Sequence, residues 1–392
     1  MINHSKTNWR RIKFKEFADT SPSVKLERGK EYPFIPMDVV DGQRKFPVEI
    51  KSKKFSGGGA KFANGDTIFA RITPCLENGK IVKIQGLKEG VGFGSTEFFI
   101  FRGKDGVSDS DFVYYLSRTD TIRDPAVKSM VGASGRQRAD KEVIDNVQVL
   151  APTLPQQKQI ADVLSAYDDL IENNTKRIKI LEEIAQAIYR EWFVYYRSHG
   201  HEKVKLIDSK TEFGKIPEGW KVKKLGDNIN ILRGKNITKD TVAPGKVPVV
   251  AGGIGPAYFH NKANVDGPAI TVSASGANSG YINLYQEDIW ASDCSYINKA
   301  STPFIFYYFL LLKSRQAEVT GLQRGSAQPH VYPKDLARLL VVDPPEELVR
   351  VFEEKAKSIF GMLKNLQLKN QNLRQARDLL LPKLVTGEIR IN

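Results

Sequence analysis

Cysteine and histidine are scarce in this sequence, and the few that occur are not grouped. Among 392 residues there are two cysteines, Cys75 and Cys294, which lie far apart and have no CxxC neighbour. The five histidines form no HExxH motif and no triad-like group. These gaps argue against a disulfide framework and against a zinc site, so we expect two reduced thiols.

Long apolar runs are missing as well. The strongest candidate, residues 304–312 (FIFYYFLLL), is far shorter than the roughly 20 residues that a membrane-spanning helix needs. The first residues, MINHSKTNWRRIKFKEF, contain no apolar segment of the kind found in secretory signal peptides. The sequence therefore predicts a cytoplasmic protein.

Motifs of catalytic sites are not found either. Residues 56–62 (SGGGAKF) and 251–258 (AGGIGPAY) are rich in glycine, but neither ends in the Gly-Lys-Ser/Thr that holds phosphate and Mg²⁺. The run VVDPPEE resembles the Asp-Pro-Pro-aromatic motif of amino-methyltransferases, but Glu346 stands where an aromatic ring would stack on a flipped base. We interpret it as a proline stop before a helix. No catalytic centre is predicted.

Positive charge and length are what the sequence does have. The net charge is +14, and the pI is near 9.5. Clustered Lys and Arg gain free energy by displacing counterions from phosphates, so the charge indicates a nucleic-acid partner. The competing interpretation is that the charge serves solubility alone. The chain is long enough for two domains, and its 41% hydrophobic content is typical of a globular protein.

The centre of the chain predicts a long helix, because residues 168–193 contain no glycine and no proline. Around them, side chains that are mostly apolar recur every seven residues in two registers, a spacing typical of a helix that packs against another helix. From residue 156 to residue 193 such a helix would extend roughly 55 Å. The registers are Ile160, Tyr167, Asn174, Leu181, Ile188 and Leu164, Ile171, Ile178, Ala185, Trp192.

The same pattern returns near the C-terminus. The residues spaced by seven there are Phe352, Ile359, Leu366, Leu373 and Leu380. Phe352 follows Ile160 by 192 residues (352 minus 160), and an apolar run with prolines precedes both helices. We therefore predict that the two long helices are partners within one chain.

The repeat extends to the segments before the helices. NWRRIKFKEF at Trp9 resembles GWKVKKLGD at Trp220, an offset of 211, and YPFIP around Pro33 resembles VPVVA around Pro248, an offset of 215. Short β-branched or aromatic runs between turn residues predict strands, and SDFVYYLSR and TPFIFYYFLLLKSRQAEV predict short helices over a sheet. The expected fold is α+β, with repeated domains at 1–153 and 198–344 and long helices at 154–197 and 345–392.

Several of these stretches together resemble the specificity subunit of type I restriction-modification systems. The resemblance covers essentially the whole chain and rests on the two-copy layout and on GDTIFARITPCLENGK, LPQQKQIADVLSAYDDLIENN, IPEGWKVKKLGD and LLLPKLVTGEI. For the fold it implies two pseudo-repeated target recognition domains separated by two long antiparallel helices that form an intramolecular coiled coil.

The resemblance also implies a function in defence against foreign DNA. Such a subunit has no catalytic activity; each recognition domain reads one half of a bipartite target, and the coiled coil sets the gap. Its partners would be double-stranded DNA, two methyltransferase (modification) subunits and restriction/translocase subunits. The chain itself would hold no cofactor, whereas S-adenosylmethionine, ATP and Mg²⁺ would serve the partner subunits.

Base-reading candidates are polar and basic residues of the irregular loops, because Arg pairs with guanine, and Gln or Asn with adenine, through two hydrogen bonds. GASGRQR and GLQRGSAQ stand at matching positions before the last strand of each copy, which favours them. A solvated turn is the competing interpretation for each. The candidates are Arg71, Thr73, Ser134, Arg136, Gln137, Arg138, Ser273, Ser275, Asn278, Gln323, Arg324, Gln328 and His330.

Two other interpretations stay open at this point. The chain could be a structural or regulatory homologue that assembles methyltransferase subunits through the coiled coil without reading sequence. It could also be the specificity subunit of a related fused restriction system. An adenine methyltransferase reading frame beside the gene would discriminate between them.

Overall fold

The computed structural model describes residues 9–133, 135–198, 204–325 and 328–391. The chain divides into two compact units. Unit 1 comprises Met1–Thr175 and Leu368–Asn392, and unit 2 comprises Lys176–Gln367. Within the described ranges, no helix is both long enough and apolar enough to cross a membrane.

The strands of unit 1 are short and belong to two sheets and one strand pair. They are β1 (Arg10–Lys13), β2 (Ala18–Asp19), β3 (Glu31–Ile35), β4 (Lys51–Lys54), β5 (Ala60–Ala63), β6 (Thr67–Ala70), β7 (Ile81–Lys83), β8 (Val91–Gly94), β9 (Phe98–Gly103) and β10 (Gln148–Ala151). Sheet 1 has the order β2-β9-β6-β7, sheet 2 has the order β4-β3-β8-β5, and β1 pairs with β10. Strands β3 and β8 are parallel, and the other neighbours are antiparallel.

Sheet 1 is buried on both faces. In β9, Phe99 and Phe101 belong to one buried cluster, whereas Phe98 and Ile100 belong to another, because side chains alternate between the faces of a strand. The first cluster joins sheet 1 to helices, and the second joins it to sheet 2. This double burial explains why β9 reads as a continuous apolar run.

Short helices cover the first cluster of unit 1. Their bounds are α1 (Phe14–Phe17), α2 (Ser110–Ser117), α3 (Asp120–Lys128) and α4 (Lys141–Asp145). Helix α2 starts after Asp109, whose carboxylate accepts hydrogen bonds from the backbone N–H groups of Asp111 and Phe112, both at 2.9 Å. The helix predicted from SDFVYYLSR is therefore confirmed.

Unit 2 contains a comparable set of elements. Its strands are β11 (Leu206–Asp208), β12 (Lys215–Pro217), β13 (Lys221–Lys224), β14 (Leu232–Arg233), β15 (Pro244–Val250), β16 (Pro256–His260), β17 (Ala269–Ser273), β18 (Ile282–Tyr285), β19 (Trp290–Ala291), β20 (Cys294–Ile297) and β21 (Leu340–Asp343). Its short helices are α6 (Leu225–Asn228), α7 (Ile305–Ser314), α8 (Gln316–Gly321) and α9 (Pro333–Ala337).

The topology of unit 2 repeats that of unit 1. Sheet 3, with the order β14-β20-β17-β18, matches sheet 1, and the pair β13-β21 matches β1-β10. Sheet 4, with the order β16-β15-β19, matches three strands of sheet 2, and the described residues contain no counterpart of β5. The parallel pair Phe34–Phe93 corresponds to Val249–Trp290, so Phe34 and Val249 keep the predicted offset of 215.

Two helices of 40 residues each, α5 (Leu154–Phe193) and α10 (Glu346–Val385), contribute residues to both units. Their starts are 192 residues apart (346 minus 154), as predicted. The predicted seam is buried at Ile160, Leu164, Ile171, Asn174, Ala185, Trp192, Phe352 and Leu366, and half-buried at Tyr167, Ile178, Leu181, Ile188, Ile359, Leu373 and Leu380. Helix α10 also has a second buried register that the sequence did not predict, formed by Val349, Ala356, Leu363, Asn370, Arg377 and Leu384.

In unit 1 the seam between α5 and α10 contains buried polar pairs among its apolar residues. Asn174 Nδ2 donates a hydrogen bond to Asn370 Oδ1 at 2.9 Å. About two turns away, Arg377 forms an ion pair with Asp168, and the Tyr115 hydroxyl donates to the same carboxylate at 2.6 Å. The side chains of Arg377 and Asp168 are 1% and 2% exposed. Burial works against the charge of Arg377, but the Asp168 and Asp378 carboxylates together outweigh it and raise the pKa of Arg377.

In unit 2 the seam is aromatic. Phe352 of α10 contacts Trp192 and Phe193 of α5, with ring centroids 5.7 Å and 5.0 Å apart. Phe306 of α7 stacks on Phe360 at 4.6 Å. Each such pair adds about 0.5–1.5 kcal/mol beyond the burial of its area. Here the helix pair shares one apolar core with sheet 3 and α7.

Each unit also fixes its domain to a long helix by a polar contact. In unit 1 the β3–β4 connection, residues 36–50, reaches α5. Arg44 donates to both carboxylate oxygens of Glu172, at 2.9 Å and 2.7 Å, and Lys45 Nζ donates to Ser165 Oγ at 2.8 Å. In unit 2, Glu353 of α10 accepts hydrogen bonds from the N–H groups that begin α7.

Candidate nucleic-acid interface

Loop 1, residues 131–138, lies against the end of strand β6 in unit 1. Isolated antiparallel β-bridges join Arg138 to Val131 and to Ile72. The N–H of Gln137 donates to Thr73 Oγ1 at 2.8 Å, and Thr73 Oγ1 in turn donates to the Gln137 carbonyl at 3.1 Å. Thr73 therefore holds the loop in place, which occupies its hydroxyl.

Glu97 brings two of the predicted arginines together. Arg138 donates to both of its carboxylate oxygens, with the shortest contact at 2.7 Å, and Arg71 Nε donates at 3.3 Å. Hydrogen bonds from Arg138, and then from Arg71, lower the pKa of Glu97 although burial opposes the shift. Arg71 also lies over the Phe99 ring, with its guanidinium carbon 5.4 Å from the centroid. Both guanidinium groups are thus oriented at the edge of loop 1.

Arg136 lies in the turn of loop 1, where its N–H donates to the Ala133 carbonyl at 3.0 Å, and Gln137 follows it at the anchored side of the loop. Arg136 is exposed, and within the described part of the chain its guanidinium makes no ion pair. Gln137 is half-buried. Ser134, the remaining candidate of this loop, lies outside the described residues. The geometry therefore leaves Arg136 as the cation of loop 1 that is available to a ligand.

Loop 2 spans residues 322–330, of which 322–325 and 328–330 are described, and these lie against the end of strand β17 in unit 2. Isolated β-bridges join His330 to Arg324 and to Ser275, which is the same pattern that closes loop 1. Gln323 Nε2 donates to the Ser279 carbonyl at 2.9 Å. Ser273 is 4% exposed, and its hydroxyl donates to the Gly253 carbonyl at 2.8 Å. Gln323 and Ser273 therefore stabilise the backbone.

The other candidates of unit 2 differ in how free they are. Arg324 forms an ion pair with the buried carboxylate of Asp335 at 2.7 Å, and its own side chain is 57% exposed. His330 stacks on Tyr332 with the ring planes 11° apart. Asn278 and Gln328 are exposed. These four side chains form the accessible polar surface around loop 2.

Asp293 is a member of this site that the sequence analysis missed. Its carboxylate accepts a hydrogen bond from the Ser275 hydroxyl and forms an ion pair with Arg233 at 2.6 Å. Arg233 and Asp293 are 60 residues apart, on β14 and beside β20. Only the pairing of those two strands brings them together, so no local sequence signal could identify the pair.

The chain was compared with protein-family models. It matches the model of the type I restriction modification DNA specificity domain twice, over residues 8–183 and 217–375. Each match begins close to the strand that follows one of the repeated tryptophans, β1 after Trp9 and β13 after Trp220. Together they cover more than half of the chain.

The chain is also similar to curated type I specificity subunits and to the solved structure of one. The specificity subunit of the type I restriction enzyme MjaIX from Methanocaldococcus jannaschii is 28% identical, over 74% of this chain and 71% of that protein. The MjaVIII specificity subunit of the same organism is 26% identical, over 76% and 78%. The crystal structure of the type I restriction-modification S subunit from M. genitalium shares the fold, with a TM-score of 0.58 at 15% identity and 98% coverage of both chains.

Proposed function

Because the chain belongs to the family of type I restriction-modification DNA specificity subunits, we propose that each of its two units reads one half of a bipartite DNA target. The observation that supports this proposal is the repeated loop. Loops 1 and 2 close on the ends of equivalent strands, β6 and β17, through equivalent β-bridges. Their residues differ, GASGRQR against GLQRGSAQ, so equivalent positions would read different bases.

The proposed base readers are the accessible side chains of these loops. Arg136 and Arg324 have the geometry for two hydrogen bonds to guanine, and Asn278 and Gln328 for two hydrogen bonds to adenine. Arg138 donates to Glu97 through both Nε and Nη2, and Arg71 is held between Glu97 and the Phe99 ring, so we assign these two to phosphate contacts or to fixing loop 1. Arg324 contacts Asp335 through Nη2 alone, which leaves its other donors for a base. The hydroxyls of Thr73 and Ser273 are assigned a positioning role.

The two long helices are proposed to set the gap between the half-sites. A continuous helix advances by about 1.5 Å per residue, so its number of residues fixes the distance that it spans, whereas a loop with the same number of residues can span different distances. The Asn174–Asn370 pair supports a single register, since buried polar pairs disfavour a slipped seam.

The subunit is proposed to act without catalysis of its own, in the cytoplasm. It would bring two methyltransferase subunits, and with them the restriction/translocase subunits, to the DNA. S-adenosylmethionine, ATP and Mg²⁺ would bind to those partners. The net charge of +14 supports the DNA contact, because neutralised phosphates release counterions.

Mapping of methylated adenines tests the proposal. A host that carries this subunit and its methyltransferase is expected to show a split motif with a fixed gap. Insertion or deletion of one helical turn near Asn174, matched in α10, should change the gap and leave both half-sites unchanged. Methylation at an unsplit motif, or altered half-sites in the insertion variant, would contradict it.

A further inference from the structure

Sheet 2 has a second face, opposite the one that packs on sheet 1. The strand register places Lys51 opposite Phe34, Phe34 beside Phe93, and Phe93 opposite Lys61. Partners across strands share one face, so these four residues form a row in which lysines flank aromatic rings. Lys53, opposite Tyr32, extends the row. We call this surface, with Phe55, the lysine-rimmed face.

The aromatic rings hold two of these lysines. Lys53 Nζ lies 4.7 Å from the centre of the Phe34 ring, and Lys61 Nζ lies 5.3 Å from the centre of the Phe55 ring. A ring attracts an ammonium group without cancelling its charge. Within the described part of the chain, neither ammonium forms an ion pair with a carboxylate, unlike Lys51, which lies 3.1 Å from Asp38.

The lysine-rimmed face is continuous with loop 1. A cleft of about 490 Å³ is lined by Lys61, Arg71 and Lys141, together with the hydroxyl-bearing residues Thr20, Ser21 and Ser23. Arg71 also contacts Glu97, which binds Arg138 of loop 1. Cationic side chains therefore extend from the candidate base readers of unit 1 onto sheet 2, where Lys61 has no carboxylate partner among the described residues, whereas Arg71 and Lys141 contact Glu97 and Asp145.

Unit 2 does not repeat this surface. Tyr258 and His260 occupy the positions of Lys51 and Lys53, since they pair with Val249 and Val247 of β15. The strand that carries Lys61 in unit 1 has no counterpart in the described residues of unit 2. The lysines are thus a feature of one unit and not a requirement of the shared fold.

We propose that the lysine-rimmed face binds the DNA phosphate backbone beside the half-site that unit 1 reads. This inference rests on the proposed function. Lysine is a point charge on a flexible stem, which suits phosphate contacts and carries little base information. Tyr32, Phe55 and Phe93 are buried beneath the lysines, and Lys53 covers the half-buried Phe34 ring, so the rings are not available to stack on bases. The contact would be independent of sequence and confined to one side of the target.

The salt dependence of binding tests this proposal. The full chain, assembled with its methyltransferase subunits, is titrated with a duplex that contains the mapped target at several salt concentrations. The slope of log K against log salt is negative, and each lost phosphate contact lowers its magnitude by about 0.9. The variant Lys53→Gln/Lys61→Gln, which keeps most of both stems over the rings, should therefore lower it by about 1.8. Its preference for the target over a scrambled duplex should not change.

Two matched variants complete the test. Lys53→Arg/Lys61→Arg should keep the wild-type slope. Lys179→Gln/Lys205→Gln removes the same charge from side chains that are 78% and 73% exposed elsewhere, and should change the slope by far less. An unchanged slope in the Lys53/Lys61 glutamine variant, with the target still recognised, would overturn the phosphate assignment alone.

Two further outcomes are decisive. Loss of methyltransferase subunits from the glutamine variant, seen by native mass spectrometry, would show that the face binds an acidic protein surface and would overturn the inference. Wild-type binding without any sequence preference would instead overturn the proposed function.

Discussion

Units 1 and 2 share one topology but fill their helix seams with different chemistry. In unit 1 the buried seam carries an asparagine pair and the Asp168–Arg377 ion pair. At the positions equivalent to Asp168 and Arg377, 192 residues away, unit 2 has Phe360 and Ala185. The apolar version gains free energy from buried area, whereas the polar version gains little net stability and strongly penalises mispairing. Domains with the same strand order are thus combined with two kinds of helix seam. The seam of unit 2 mainly adds stability, and the polar pairs of unit 1 mainly fix the register of the helices.

The largest expected effect comes from breaking the polar seam of unit 1. Arg377→Met leaves the buried Asp168 carboxylate without its cation and should lower the free energy of unfolding by about 3–5 kcal/mol. Urea unfolding measures the loss, and hydrogen exchange should localise it to residues 154–175. The triple variant Asp168→Leu/Arg377→Met/Tyr115→Phe removes the whole polar group and should recover most of the loss. Equal losses in both variants would show that packing, not the buried charge, is responsible.

Loss of a proposed base reader should separate the two units in binding. Arg136→Ala is expected to weaken binding through the half-site of unit 1 by about 1–3 kcal/mol and to relax specificity at one base pair. Arg324→Ala should do the same for the other half-site. Duplexes with one half-site scrambled measure each contribution. If either variant weakened both halves equally, the assignment of one loop to one half-site would be wrong.

A smaller effect on stability is expected when the α10 carboxylate that accepts hydrogen bonds at the start of α7 is removed from unit 2. Glu353 accepts hydrogen bonds from the N–H groups of Phe306 and Tyr307, at 3.1 Å and 2.8 Å. Burial raises the pKa of Glu353, although these two donors oppose the shift. Glu353→Ala removes the cap and should cost about 0.5–2 kcal/mol of stability, seen as faster hydrogen exchange over residues 305–314. Glu353→Gln keeps one acceptor and should lose less; equal exchange rates in both variants would rule out capping.

The smallest effect concerns pH and loop 1. Hydrogen bonds from Arg138 and Arg71 lower the pKa of Glu97 below its ordinary value of 4.5. The stabilisation by the ionised carboxylate is therefore present above about pH 4.5 and is lost as the pH falls through the lower folded value. Thermal unfolding followed against pH should show this loss in the wild type and a weaker dependence in Glu97→Gln. Identical profiles would show that the pair contributes nothing to stability.

The sequence was most informative where the fold repeats. The offsets of 192 and 215 are confirmed by the helix starts and by the parallel strand pairs, because heptads and paired prolines are local patterns that survive divergence. The second register of α10 was missed because Asn370 and Arg377 interrupt it, and a search for apolar periodicity passes over polar members. Their burial depends on Asn174 and Asp168 of the other helix, which local patterns do not reveal.

The two candidate loops stand out in the sequence, but their surroundings do not. GASGRQR and GLQRGSAQ are marked by their glycines and arginines, whereas the sequence did not predict that these loops lie at the ends of β6 and β17. Which side chains are free is set by partners distant in sequence, such as Glu97 for Arg138 and Asp335 for Arg324. The lysine-rimmed face likewise depends on residues that are distant in sequence. The stretch KSKKF is typical of an exposed strand, but only the strand register shows that its lysines lie beside aromatic rings of neighbouring strands.

The polar contact that fixes a domain to a long helix needs different groups in the two units. The Arg44–Glu172 contact needs a specific side chain on both sides. Glu353 needs only the N–H groups at the start of a helix, which almost any sequence supplies. A foreign domain exchanged into unit 2 would need a helix start beside Glu353 and an apolar face that fits the aromatic seam, whereas one exchanged into unit 1 without Arg44 and Lys45 would leave Glu172 and Ser165 without partners. The polar contact of unit 2 is thus met by backbone groups and tolerates a change of domain sequence, whereas that of unit 1 is tied to particular side chains.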